Sequence, residues 1–140
     1  MKRDPLKTLL RIRQATLDDA QKAVSDAYHA EHEASRLAEE AGEALAHEMR
    51  SAMNLGVDDD AVEAFARWLP LGRRAIKQAH EALRDATSRL DQARAILTLA
   101  RSGVRTVESL DAQRKDERRQ EEDRRAQHEL DEIGARTADG

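Results

Sequence analysis

The chain of 140 residues has no cysteine, which rules out a disulfide framework and any thiol chemistry. It has three aromatic residues, Tyr28, Phe65 and Trp68. That is too little bulky apolar surface for a packed multi-layer domain. No apolar run approaches the length needed to span a membrane. The opening MKRDPLKTLLRIRQ has neither an uninterrupted apolar stretch nor a small-residue cleavage site, so no signal peptide is expected and the chain is expected to be cytoplasmic. A basic patch is missing too. From Asp111 to Glu129 six basic residues are interspersed with seven acidic ones, so nucleic acid is not an expected partner.

What the chain has instead is charge and alanine. Charged residues make up 37% of it, and an Ala/Glu/Arg/Leu-rich composition with helical periodicity belongs to coiled coils and long helices. Positions 10, 13, 17, 20, 24, 27, 31, 34, 38, 41, 45, 48 and 52 advance in alternating steps of three and four. Ten of these thirteen are apolar, the exceptions being Arg13, Glu31 and Glu48, and this is a heptad seam. Asp4-Pro5 opens the helix, with the aspartate capping and the proline at the first helical position.

Asn54-Leu55-Gly56 closes it, and Val57 to Asp60 start a second helix, with Asp60 and Glu63 at capping-box spacing. The second seam runs through 62, 65, 69, 72, 76, 79, 83, 86, 90, 93, 97, 100, 104 and 107, with no charged residue in it. Two seams joined by a short turn predict an all-α antiparallel coiled-coil hairpin, a single domain over 1–140. Helix one spans about 5–54, the turn about 55–59, helix two about 60–134 and a tail 135–140. Folding near Gly56 sets Leu10 opposite residue 103 and Leu6 opposite residue 107, so helix two overhangs beyond Val107. The hairpin is expected to be a monomer when free. Pairs at Asp111–Lys115, Arg118–Glu122 and Glu121–Arg125 each contribute only about 0.2–0.5 kcal/mol, so the unpartnered arm is expected to fray.

Catalytic and metal motifs are poorly represented. Histidine precedes glutamate at His32, His47, His80 and His128, but a zinc-protease helix needs a second histidine four residues on, where Arg36, Ser51, Arg84 and Glu132 stand. His29 and His32 are three apart, and a solvated helix face is the plainer reading of them. There is no Gly-rich phosphate loop and no nucleophile elbow. The expectation is a protein that is not an enzyme and has no cofactor and no metal.

Two stretches hold the candidate sites. In FARWLPLGRRAIKQA, Pro70 should kink or loosen the helix. Trp68, Leu71, Ala75 and Ala82 form a second apolar stripe beside the seam. That stripe either wraps the hairpin tip against Met49 and Met53 or docks a partner, and for Trp68 the docking reading is favoured. In DRRAQHELDEIGARTA, Leu130 and Ile133 make a small apolar face with Arg124, Arg125, Asp131 and Glu132 around it. The seam accounts for every large apolar residue between Leu83 and Val107, which leaves Leu130 and Ile133 as the arm's own apolar face.

At these residues the chain resembles the FliJ family, the coiled-coil stalks of the flagellar type III export apparatus. Length, the hairpin, ARWLPLGRRAIKQAHEAL and the ending RRAQHELDEIGARTA carry the resemblance. It implies a stalk that inserts into the hexameric ring of the export ATPase (FliI-like), couples it to the export gate (FlhA-like) and binds export chaperones. It places Arg124, Arg125, Gln127, Leu130, Asp131, Glu132 and Ile133 in the ATPase ring, and Trp68, Leu71 and Ala75 at the gate. The implied location is cytoplasmic, at the inner membrane through the export apparatus and without direct membrane insertion. The equivalent stalk of a non-flagellar type III injection system and a generic coiled-coil tether are the alternatives.

Overall fold

The structure, a computed structural model, describes residues 4–54 and 59–139. Two helices contain nearly all of them: α1, Pro5–Asn54, and α2, Asp59–Ala138. The expected turn and C-cap at Leu55, Gly56 and Val57 lie outside the described residues, as do Met1 to Arg3 and Gly140.

α1 begins as its sequence dictates. The Leu6 N–H donates to Asp4 Oδ1 at 3.0 Å, and the Thr8 N–H donates to the Asp4 carbonyl at 3.2 Å. Pro5, which has no N–H to satisfy, occupies the first helical position. At the other helix start, Asp59 and Asp60 set negative charge against the positive end of the α2 dipole. Asp60 lies in the first turn of α2, which starts at Asp59.

The two helices run antiparallel, with Ala30 beside Ala82, Ala34 beside Ala79 and Ala52 beside Ala61. The residue numbers in each pair sum close to the value that folding near Gly56 requires. Every predicted seam position except Arg13 and Val62 is buried or half-buried. Val62 lies in the first turn of α2 and is 52% exposed. Arg13 lays its stem over Gly103, where a Cβ would stand 3.5 Å from Arg13 Cδ, and its guanidinium reaches water.

The chain divides into two compact units. One joins Met1–Asp18 to Leu99–Gly140, with a core of Ala100, Val104 and Val107. The other is Asp19–Thr98, and Ala20, Ala38 and Leu90 form its core. Three of these six core residues are alanines, so the helices meet across a thin layer of small side chains.

Two expectations need correction. The seam does not account for every large apolar residue between Leu83 and Val107: Ile96 is 56% and Leu99 72% exposed, because both sit off the three-four spacing. α2 does not stop near Gly134 but continues to Ala138. Gly134 keeps an ordinary helical φ, and the Thr137 hydroxyl back-bonds to the Ile133 and Gly134 carbonyls at 2.6 and 3.2 Å. The arm is helical to Ala138. α2 also runs unbroken through Pro70, whose exposed ring costs one backbone donor.

Candidate partner-binding surfaces

The first candidate surface is the arm. From Arg119 to Asp139 every residue is exposed, since α1 has no residues left to cover them. Single-helix pairs hold the arm: Lys115 to Asp111 at 3.1 Å, Arg125 to Glu121 at 3.1 Å, and the Gln127 amide donating to Asp131 Oδ1 at 3.1 Å. His128 stands 3.9 Å from Glu132, an ion pair when the imidazole is protonated. Among the described residues Arg118 and Glu122 do not pair, unlike the other two expected couples. Leu130 and Ile133 are 62% and 60% exposed, one turn apart on one face, with Gln127 a turn before them. The structure thus gathers Gln127, Leu130, Asp131 and Ile133 closely, while Arg124 has no partner of its own among the described residues.

The second surface lies near the tip, inside Asp19–Thr98. Trp68, for which docking is the favoured reading, is half-buried. Its ring stacks on Phe65 with centroids 6.2 Å apart and planes 29° from parallel, and it lines a cleft with Glu48, Ser51, Ala52, Ala61 and Ala64. It also lies over Gly72: a Cβ there would fall 2.4 Å from the indole. Gly72 therefore occupies a seam position because the indole fills the space a side chain would need. Met53, proposed as part of the wrapping, is 75% exposed and covers little. Leu71 is 61% exposed and Ala75 is exposed beside it.

Sequence reasoning found only half of this second surface. Ala75, Gln78, Ala79 and Ala82 of α2 face Ala30, Ala34, Leu37 and Ala41 of α1 across an open apolar groove of about 620 Å³. Of the α1 residues Ala34 and Ala41 belong to the main seam, and Ala30 and Leu37 stand beside it. On the rim, Arg36 holds both Glu33 and Glu40, donating to Glu33 Oε2 from Nε at 3.0 Å. The hydrogen bond from Arg36 keeps the Glu33 carboxyl below the ordinary glutamate value and pushes the guanidinium higher still. Neither surface has the enclosed, desolvated titratable group that general acid–base chemistry uses. Among the described residues no three His, Asp or Glu side chains are grouped to hold a metal.

No helix among the described residues is long and apolar enough to cross a membrane. No curated protein and no solved structure matches the chain. The family model described as flagellar FliJ protein matches residues 1–139. Two seams, one cap and an uncovered arm, matched along almost the whole chain, assign this protein to the FliJ family of flagellar export components.

Proposed function

We infer that the chain is a stalk of the flagellar type III export apparatus: its arm enters the ring of an export ATPase, and its tip faces the export gate and docking chaperones. One observation carries the reading. Leu130 and Ile133 are 62% and 60% exposed on an arm that nothing in the chain covers. Large aliphatic side chains on an otherwise charged helix gain by burial, at about 25 cal/mol per Å² of apolar area. A ring interior offers that burial, and Gln127, Asp131, Glu132, Arg124 and Arg125 supply polar contacts around it. Leu71 and Ala75, with the open edge of Trp68, form the gate-facing patch. The partner hydrolyses ATP, and the stalk needs no catalytic group of its own. The family match favours the flagellar apparatus over an injection system.

The test uses the cognate export ATPase. A chain ending after Gln120 retains every buried residue and should leave the hairpin helical while removing stimulation of ATP hydrolysis. Leu130→Ser with Ile133→Ser should do the same in the full-length chain. Full stimulation by either variant refutes insertion of the arm and leaves a tether.

A further inference from the structure

The stripe of α2 that faces α1 does not end at Val107. Continued in the same steps it reads Val104, Val107, Asp111, Arg114 and Arg118, so the seam turns from apolar to charged just where α1 begins. Of these charged positions Asp111 is half-buried, while Arg114 and Arg118 are exposed. Asp4, Leu6 and Lys7 come from α1 and Asp111, Arg114, Lys115 and Arg118 from α2, and together they line a small concavity of about 110 Å³. Both carboxylates there are already engaged, Asp4 by the Leu6 N–H and Asp111 by Lys115 at 3.1 Å. Among the described residues Lys7, Arg114 and Arg118 make no ion pair, and Arg114 and Arg118 stand four apart, a repulsive spacing for like charges.

Four cations against two carboxylates leave an excess of two positive charges in the concavity. We propose that Lys7, Arg114 and Arg118 form a binding site for a single dianionic phosphoryl group. A phosphate monoester carries about −1.5 to −2 charges at neutral pH, which cancels that excess, whereas one carboxylate would not. Two guanidinium forks from successive turns suit its oxygens, and Lys7 adds a point charge from the facing helix. The volume is that of a few water molecules, so it takes one such group and excludes a whole nucleotide base. The ligand's source is a soluble phosphorylated metabolite or inorganic phosphate on one side, or a phosphomonoester lipid headgroup on the other.

Inorganic phosphate is titrated calorimetrically into the full chain in acetate-balanced buffer of constant ionic strength, with arginine side-chain NMR as the local readout. Saturable binding is expected, with shifts at Arg114 and Arg118. Arg114→Gln with Arg118→Gln should weaken it by about tenfold or more. Arg73→Gln with Arg74→Gln, an equal charge change on exposed residues elsewhere, should alter it by less than about twofold. Vesicles of phosphatidylcholine with phosphatidate separate the sources. Co-sedimentation that both phosphate and the Arg114/Arg118 pair abolish assigns the site to a lipid headgroup; phosphate binding without co-sedimentation assigns it to a soluble ligand. Absence of saturable phosphate binding overturns the proposal, and so do equal losses from the two arginine pairs. Vesicle binding that survives the Arg114/Arg118 change, without phosphate binding, overturns it as well.

Discussion

At the scale of single residues, the helix-interior glycines separate packing from propensity. Gly42 has nothing within 4 Å of where its Cβ would be, so Gly42→Ala should raise stability by about 0.5–1 kcal/mol through helix propensity alone. Gly72→Ala has the same propensity gain but puts a methyl 2.4 Å from the Trp68 indole. It should destabilise by about 1–3 kcal/mol, as overpacked positions do. Urea unfolding of the two variants should therefore shift in opposite directions, and equal stabilisation would show that the indole moves aside freely. Trp68 and Leu71 make a second contrast. Trp68→Ala removes a stacked, half-buried ring and should cost about 1–2 kcal/mol, whereas Leu71→Ala, 61% exposed, should stay within about 0.5 kcal/mol. Binding of the export gate domain should weaken for both. A Leu71→Ala variant that binds normally would remove Leu71 from the gate patch.

At the scale of the element, α1 depends on its cap. Asp4→Ala leaves the Leu6 N–H without its 3.0 Å acceptor and should cost about 1 kcal/mol, read as a lower melting temperature by circular dichroism. A melt indistinguishable from that of the parent chain would mean the first turn is frayed in solution. This cap was legible because Asp-Pro is a local signal, complete within two residues. The seams were legible for a related reason: a three-four spacing sustained over a dozen positions leaves a helix only one face to bury. Ile96 and Leu99 were misread because a seam says which residues must be covered, not that all other apolar residues will be. The end of α2 was misread at Gly134, since glycine ends a helix only when the chain takes a left-handed turn there, and Gly134 does not. Trp68 was beyond reach of periodicity. Its orientation depends on an absent Cβ four residues away at Gly72 and on Phe65 three residues before it. The α1 half of the apolar groove needed the pairing of two distant segments, which neither helix encodes alone.

At the scale of the whole molecule, family membership and the two seams agree on a hairpin with a thin core. Among the described residues no large side chain is fully buried, and half of the six core residues are alanine. Little apolar surface leaves water on folding, and the urea m-value scales with that surface. The chain should therefore unfold with an m-value per residue clearly below that of globular domains of similar length, measured by circular dichroism in urea. A steep, globular-like transition would imply burial that this structure does not contain. The alanine core has one more consequence. Side chains that short interdigitate weakly, so one heptad of slippage between α1 and α2 trades alanine for alanine at three levels of each seam, 20/27, 27/34 and 34/41 in α1 and 79/86, 86/93 and 93/100 in α2. What resists such sliding is the few unlike positions where the two helices meet, Arg13 over Gly103 and Trp68 in its cleft with Glu48, Ser51 and Ala52. These two act as index pins, and removing both would convert a hairpin of fixed alignment into one whose strands can be displaced lengthwise by a load.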